Sequence, residues 1–498
     1  MWTYGGSYPG PTIRRPAGHL TKVTYVNHLP ATVGGLSVHL HGDHHSSKDD
    51  GQPDTQIIAA GHQKTYTYPL RNAGKPEDAA FDFYHDHRMD ETGRNVWNGL
   101  QGMFVVDDRH ERSLPLPKGK YDVPLMVSDR SFDANNQLIE PFPAPGTSSG
   151  GTFGIGGTYA PPGDQTVGSK VLVNGVYAPH FDVAAHRYRF RILNGSNFAS
   201  YEFHLSTGQA FTQVGTGSGL LPAPVKRTSI LLGPAQRADV VVNFHGELDK
   251  KIVLESIART DSRPGGIGST VAPIMQFRVT HSAADSTRVP AHLEKLSPLA
   301  VPSAPTLTWT FALAGDLQRG LAWTINGKAF DPTRADAEVA LGSTQRWLLT
   351  NTSPLTHYIH LHEEEWRTIS RDGQKPPPWE RGLEDTWRLD PGETVEVAAK
   401  VTDYTGNFMI HCHMLDHEDH GMMAQFRVVK PGNPKLHGLS AVLDHSGSDV
   451  DPVTAMSQMT TRMTGMKHAA TSSPALTWWC AWATSHPGRR ANGPQLFT

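Results

Sequence analysis

Cysteine is scarce in this sequence, since only Cys412 and Cys480 occur among 498 residues. Two cysteines cannot build the disulfide framework of a small secreted domain, so the cysteine content leaves the cellular compartment open. No hydrophobic run is long enough to span a bilayer, and the opening MWTYGGSYPG lacks the charged and apolar regions of a signal peptide. Charged residues make up only 19% and the net charge is −3, which gives no reason to expect binding to nucleic acid or anionic membranes.

Long amphipathic helical patterns are also scarce, and short alternating runs take their place. TKVTYVNHL, RYRFRILN and ETVEVAAKV are examples, and the sequence supplies 48 glycines and 37 prolines for the turns between such runs. Alternation of apolar and polar residues is typical of half-buried strands. We therefore predict an all-β fold.

The chain is too long for a single hydrophobic core. Turn-rich and proline-rich stretches predict three domains, at residues 1–110, 111–300 and 301–432, followed by a tail at 433–498 that we expect to be poorly ordered. The second domain contains a glycine-rich segment at 146–164 that we expect to be mobile. The first domain starts late, so we expect it to lack one or more edge strands.

Histidine is unusually frequent, with 27 copies, and it clusters in four segments. HLHG contains His39 and His41, and YHDH contains His85 and His87. HYIHLH (357–362) and HCHMLDHEDHGMM (411–423) are the other two segments. Residues i and i+2 of a strand point to the same face, so each HxH pair presents two imidazoles to one side.

The segment around Cys412 divides its ligands between two sites. His411 and His413 face one way and Cys412 faces the other, while His357 has the opposite parity to His360 and His362. Cys412, His357, His417 and Met422 together form the His₂Cys set with a weak axial methionine that is typical of blue copper. The other eight imidazoles favour a group of copper ions that binds dioxygen. These eight residues are His39, His41, His85, His87, His360, His362, His411 and His413.

A single HxH motif is a poor indication of a metal site, because such pairs arise by chance. Four such motifs with consistent strand parity argue against a chance origin. His44, His45 and His62 fit neither site, and we interpret them as surface histidines.

In this order the four segments resemble the copper motifs of three-domain multicopper oxidases, laccase-like enzymes built from three cupredoxin-like Greek-key β-barrels. The resemblance extends from about Trp2 to Lys430 and includes WTYGGSYPGPTIR, LLGPAQRADVVV and GLEDTWRLDPGETVEV. Within the family, HYIHLH and HCHMLDHEDHGMM are most similar to the branch of bacterial spore-coat laccases and bilirubin oxidase.

The resemblance implies four copper ions. It assigns one type 1 copper to His357, Cys412, His417 and Met422, and one type 2 copper to His39 and His360. It assigns the pair of type 3 coppers to six further histidines, namely His41, His85, His87, His362, His411 and His413.

The resemblance also implies an oxidase that couples one-electron oxidation of phenols, aromatic amines or bilirubin-like molecules to reduction of dioxygen to water. Its partners would then be dioxygen and a small aromatic reductant. Cys412 would carry electrons between the two sites, and Asp50 and Glu418 would supply protons as catalytic carboxylates. Relatives of this kind are extracellular, periplasmic or part of the spore coat.

Two other functions stay open at this point. A cuprous oxidase of copper tolerance would use a methionine-rich tail, in which Met456, Met459, Met463 and Met466 have helical spacing. However, such oxidases carry Asp and Met where this chain has Ser353 and Leu355. A copper-binding structural coat protein without turnover is the other alternative, and a short first domain would be its support. The acidic EEEW (363–366) departs from the family pattern.

Overall fold

The structure, a computed structural model, describes residues 1–142, 167–257, 271–316 and 320–432. Strands dominate these residues, and the prediction of an all-β fold is confirmed. The glycine-rich segment at 146–164 and the tail at 433–498, with its methionines and Cys480, lie outside the described residues. Within the described part, three helices of five or six residues occur, and none is long and apolar enough to cross a membrane. They are α1 (Thr92–Trp97), α2 (Arg109–Ser113) and α3 (Leu415–Asp419).

The N-terminal part of the chain forms a four-stranded sheet in the order β1-β8-β7-β3, with β2 paired to β4 and β5 paired to β6. Tyr25, Tyr66, Tyr84 and Phe104 lie together in its core. The antiparallel pairing of β3 with β7 places His39 opposite His85, so two HxH segments lie side by side. The strands are β1 (Gly10–Pro16), β2 (Thr21–Val26), β3 (Val38–His41), β4 (Gln63–Tyr68), β5 (Arg71–Asn72), β6 (Lys75–Pro76), β7 (Ala80–Asp86) and β8 (Gln101–Asp107).

The middle of the chain forms two packed sheets, ordered β11-β10-β9-β13-β18-β15-β16 and β12-β20-β19-β14-β17. Alternation on β13 explains the packing: Phe190 and Ile192 enter the core, while Arg189 and Arg191 bind carboxylates on the other face. The strands are β9 (Asp122–Arg130), β10 (Lys170–Val173), β11 (Val176–Tyr177), β12 (His180–Ala185), β13 (Arg187–Asn194), β14 (Tyr201–Leu205), β15 (Phe211–Thr216), β16 (Gly219–Arg227), β17 (Ile230–Leu232), β18 (Arg237–Asn243), β19 (Lys251–Ser256) and β20 (Ala272–Ser282).

The C-terminal part is another pair of sheets, ordered β22-β21-β24-β29-β26-β27 and β23-β31-β30-β25-β28. Trp309, Trp347, Trp366 and Trp387 are buried in the core between them. β25 pairs with β30, which sets His360 opposite His411. The strands are β21 (Leu307–Asp316), β22 (Gly320–Ile325), β23 (Ala337–Ala340), β24 (Thr344–Asn351), β25 (His357–Leu361), β26 (Trp366–Arg371), β27 (Leu383–Glu384), β28 (Thr386–Leu389), β29 (Thr394–Lys400), β30 (Gly406–Cys412) and β31 (Met423–Val429).

The N-terminal and C-terminal parts meet where α1 packs against α3. The Asp419 carboxylate accepts hydrogen bonds from the backbone N–H groups of Thr92 (3.0 Å) and Gly93 (2.8 Å) at the start of α1. A carboxylate is favourable there because the first backbone N–H groups of a helix have no partner within the helix. This contact holds β7 and β30, which carry histidine motifs, close to each other.

Candidate metal centres

The twelve residues of the four motifs are brought together in two adjacent groups and are removed from solvent, with none more than 4% exposed. One group surrounds the Cys412 thiol and the other consists of imidazoles from both ends of the chain. The first group contains His357, Cys412, His417 and Met422. The second contains His39, His41, His85, His87, His360, His362, His411 and His413.

The thiol group has the geometry of a compact three-donor site. Cys412 Sγ lies 3.5 Å from His357 Nδ1 and 3.6 Å from His417 Nδ1. The two imidazole nitrogens lie 3.1 Å apart. Met422 follows at the end of the loop: its backbone carbonyl accepts from Cys412 N–H (3.0 Å), and its side chain lies in the same buried cluster. Two imidazoles, one thiol and a nearby thioether fit blue copper.

Burial sets the protonation of these donors. It raises the pKa of Cys412 to about 12 and lowers the pKa of His357 to about 3. The imidazole is therefore neutral and available as a ligand. Because burial raises its pKa, the thiol keeps its proton near neutral pH until a metal displaces it.

Three contacts define the surroundings of this site. Ser353 Oγ lies 2.6 Å from His357 Nε2, the ring nitrogen that points away from Cys412. The His417 ring packs against Trp323 at 4.2 Å and against the half-buried Phe198 at 5.8 Å between ring centroids. The His417 ring is thus bordered by aromatic carbon.

The imidazole group lies on the other side of β30. His411 Nε2 is 3.3 Å from both His87 Nε2 and His362 Nε2. His39 Nε2 is 3.4 Å from His360 Nε2. Like-charged imidazolium rings could not pack this closely, and burial lowers the pKa of His360, His362 and His87, in the last case to about 4.

Backbone carbonyls orient several of these rings. The Nδ1 atoms of His39, His85 and His360 lie 2.8, 2.8 and 2.9 Å from the carbonyl oxygens of Asp50, Asp86 and Asp385. A carbonyl must receive the Nδ1 proton, so the Nε2 lone pair is directed at the centre of the group. His85 Nε2 and both ring nitrogens of His413 are buried without a hydrogen-bond partner among the described residues. Unpartnered buried nitrogens of this kind fit metal ligands.

Asp50 and Glu418 lie at different edges of the imidazole group, and each is 1% exposed. Asp50 contacts His362 Nδ1 at 3.0 Å and His39 Nδ1 at 3.2 Å. Glu418 contacts His411 Nδ1 at 3.1 Å and His87 Nδ1 at 3.4 Å. Burial favours the neutral form of each carboxyl, but the neighbouring imidazoles outweigh burial and hold both pKa values well below the usual range.

The interpretation of His44 and His45 as surface residues is wrong. Both are buried, with exposures of 0% and 1%, whereas His62 is exposed as predicted. His45 lies between Asp43 Oδ2, 2.8 Å from its Nδ1, and Asp50 Oδ1, 3.3 Å from its Nε2. The sequence does not reveal the burial of His44, because its partners Glu363 and Asp403 are hundreds of residues away in the chain.

The acidic segment after His362 explains the burial of His44. His44 Nδ1 donates to the Glu363 carbonyl (2.9 Å) and lies 3.7 Å from Glu364 Oε2, while its Nε2 lies 3.4 Å from Asp403. Burial alone would lower the pKa of His44, but Glu364 and Asp403 outweigh it and raise the value to about 9. The EEEW departure therefore provides a backbone carbonyl and a glutamate side chain as partners for His44 of the N-terminal part.

Sequence reasoning gave no role to Arg237 and Asp385, which lie beside the imidazole group. Arg237 donates to both Asp385 oxygens at 2.6 and 2.7 Å, and both side chains are buried. Both residues stand in segments that resemble the family, but neither has the spacing of a ligand motif. An arginine at the start of the apolar run ADVVV was the available signal, because a buried guanidinium requires a carboxylate partner.

Comparison with known proteins agrees with this geometry. Two family models, both described as multicopper oxidase, match residues 1–111 and 302–432. A laccase of Bacillus stratosphericus is 32% identical, covering 86% of this chain and 91% of the relative. Bilirubin oxidase of Albifimbria verrucaria is 32% identical, covering 85% and 72%. The crystal structure of a laccase from Pediococcus acidilactici superposes with a TM-score of 0.72 at 30% identity, covering 86% of this chain and 85% of that one.

Proposed function

Because the chain belongs to the multicopper oxidase family, we propose that it oxidises phenolic, aromatic amine or bilirubin-like substrates one electron at a time and reduces dioxygen to water. The fold is that of cupredoxin-like barrels, and the cofactor set is one type 1, one type 2 and two type 3 copper ions. When bound, these ions supply the electron acceptor for the substrate and the four electrons that dioxygen requires.

The residues present fit each kind of copper. The proposed type 1 ligands are His357, Cys412, His417 and Met422, and the proposed type 2 ligands are His39 and His360. Six imidazoles are left for the type 3 pair: His41, His85, His87, His362, His411 and His413. Among these, the mutual approach of His87, His362 and His411 within 4.8 Å supports a shared metal.

The proposal depends above all on Cys412. Its side chain belongs to the thiol group, whereas the residues on either side of it, His411 and His413, belong to the imidazole group. A strand produces this division because consecutive side chains point to opposite faces. The two groups are thus joined by a covalent path of one residue in either direction.

The surroundings of His417 favour aromatic reductants. Trp323 and Phe198 contact its ring, and Leu355 is half-buried in the same cluster. Phe198 and Leu355 are only half-buried, and an aromatic substrate can pack against them without a charged partner. At the positions where cuprous oxidases carry Asp and Met, Ser353 and Leu355 offer neither a carboxylate nor a thioether, so a phenol or bilirubin-like molecule is the preferred substrate class.

Asp50 and Glu418 are the proposed proton-handling residues. Both are buried against imidazoles of the proposed dioxygen-binding group: Asp50 Oδ2 is hydrogen-bonded to His362 Nδ1 at 3.0 Å, and Glu418 Oε2 lies 3.1 Å from His411 Nδ1. Reduction of dioxygen to water consumes protons, and a carboxylate within hydrogen-bonding distance of the site can relay them. A location outside the cytoplasm, which the family resemblance implies, stays a prediction.

The test is copper loading of the purified chain, followed by an optical spectrum and oxygen uptake with a simple phenol. We expect four coppers per chain, a blue colour from the cysteine–copper bond, and phenol-dependent oxygen consumption. Cys412→Ser should abolish both the blue colour and phenol oxidation, whereas the matched variant Cys480→Ser should change neither. A fully loaded protein that consumes no oxygen with phenols, aromatic amines or bilirubin would overturn the proposal.

A further inference from the structure

We infer that Arg237, in a part of the chain that supplies none of the proposed ligands, positions His41 and His360 and thereby controls occupancy of the type 2 copper site. The inference rests on the proposed function and concerns a residue that contributes no ligand. Arg237 is a positioning residue in this proposal, since it acts through Asp385 and the ring of His41.

The contacts of Arg237 join three parts of the chain. Its Nε donates to the Phe81 carbonyl at 2.9 Å, in the N-terminal part. Its Nη1 and Nη2 donate to Asp385 Oδ1 and Oδ2 at 2.6 and 2.7 Å, in the C-terminal part. Arg237 itself begins β18 in the middle sheets. One planar guanidinium therefore fixes the relative placement of all three at the edge of the imidazole group.

Asp385 connects Arg237 to two of the proposed ligands, His41 and His360. Its backbone carbonyl accepts from His360 Nδ1 at 2.9 Å, and its carboxylate lies 3.3 Å from the His41 ring. Arg237 Nη1 lies 3.4 Å from the same ring. The His41 and His360 rings are stacked with centroids 3.5 Å apart, so a shift of either one displaces the other. The arginine–aspartate pair thus contacts both rings at their Nδ1 atoms.

Two glycines, Gly217 and Gly42, leave the space that the Arg237 guanidinium occupies. A Cβ atom at Gly217 would lie 2.1 Å from Arg237 Cζ, and a Cβ atom at Gly42 would lie 2.8 Å from Nη2 and 3.0 Å from Asp385 Oδ2. Neither position can carry a side chain without moving the pair. Gly42 also has a φ of +101°, which a residue with a side chain rarely adopts. The chain directly after His41 is therefore shaped to admit Arg237.

Charge explains why an arginine is required at this position. Asp385 and Asp82 are both buried, and Arg237 is the cation next to them, with Nη2 3.7 Å from Asp82. Removal of the guanidinium would leave the Asp385 carboxylate buried beside the His41 ring without its cation, which costs more than the loss of one hydrogen bond. Asp385 would then turn toward water or toward the rings, and His360 would lose its fixed orientation.

The experiment compares copper-loaded wild-type protein with Arg237→Met and Arg237→Lys. In Arg237→Met we expect an unchanged type 1 blue absorption and EPR signal, and a loss of about 10- to 100-fold in the affinity for type 2 copper, seen as a missing type 2 EPR signal. Arg237→Lys should recover part of the signal, because lysine retains the charge but cannot bind both Asp385 oxygens. Asp385→Asn should also weaken the type 2 signal. This second variant tests the same inference if Arg237→Met does not fold.

Arg189→Met is the matched control. Arg189 is equally buried in the same sheet and binds Asp239 and Glu111, but it has no contact with the imidazole group. It should lower thermal stability and leave the type 2 signal intact. A full type 2 signal in Arg237→Met, with copper affinity equal to that of Arg189→Met, would overturn the inference. Failure of the proposed function is distinguishable, because it would appear in the wild-type protein as absent copper signals or absent oxygen uptake.

Discussion

The Ser353 hydroxyl contacts one of the proposed type 1 ligands, His357, without being a ligand itself. Its Oγ lies 2.6 Å from His357 Nε2 and is also 3.1 Å from the Leu355 carbonyl. Since His357 Nδ1 faces Cys412, the proton of the neutral ring is on Nε2 and is donated to the serine oxygen. Such a bond fixes the ring and increases the basicity of the nitrogen that faces the metal.

Ser353→Ala should therefore raise the reduction potential of the type 1 copper, because a less basic His357 stabilises the oxidised ion less well. Copper content should stay at the wild-type value, and phenol oxidation should change by less than about 10-fold. Redox titration of the blue absorption measures the shift. Ser353→Thr retains the hydroxyl and serves as the control. An unchanged potential in Ser353→Ala would show that the hydrogen bond has no electronic effect on the site.

At the scale of elements, the loop after β3 and the loop after β25 form one charged junction. His44 comes from the first loop and Glu363 and Glu364 come from the second, and Asn72 donates to Glu364 Oε2 at 3.2 Å. His45, next to His44 in the chain, contacts Asp50. Asp50 in turn contacts His362, so the junction is connected to the imidazole group. Its strength should depend on pH, because its cation is a histidine.

The pKa of His44 is raised from 6.5 to about 9, so folding favours the protonated ring. The resulting stabilisation, about 3 kcal/mol by linkage, is complete below pH 6.5 and is lost as the pH rises through about 9. His44→Gln should therefore lower the thermal midpoint by several degrees at pH 6 and by much less at pH 10. His62→Gln, at an exposed turn, should match wild type at every pH. A constant difference between wild type and His44→Gln across this range would contradict the assignment of charge to His44.

The sequence predicts elements better than contacts. The alternating runs TKVTYVNHL, RYRFRILN and ETVEVAAKV correspond to β2, β13 and β29, because alternation of apolar and polar residue types is a local property of the sequence. Parity also separates Cys412 from His411 and His413, as their positions in the two groups show. Burial of His44 and the role of Arg237 escaped prediction, because each depends on a partner that folding brings from a distant position, 319 residues away for His44 and Glu363.

At the scale of the whole molecule, the imidazole group is shared between the two ends of the chain. His39, His41, His85 and His87 come from the N-terminal sheet, and His360, His362, His411 and His413 come from the C-terminal part. The thiol group, in contrast, draws all of its residues from the C-terminal part. Metal in the imidazole group would therefore hold two sheets together, whereas metal in the thiol group would stabilise one.

Removal of copper with a chelator should lower the thermal midpoint, because a ligand that binds only the folded state stabilises it by about 4 kcal/mol at 1,000 times its dissociation constant. Cys412→Ser, which loses only the type 1 ion, should retain most of the copper-dependent increase. His39→Ala should lose more of it, since this change removes an N-terminal ligand from the shared group. Differential scanning calorimetry of the three proteins, with and without copper, measures these differences. Equal midpoints for loaded and chelated wild type would mean that copper adds nothing to the protein contacts that hold the two sheets together.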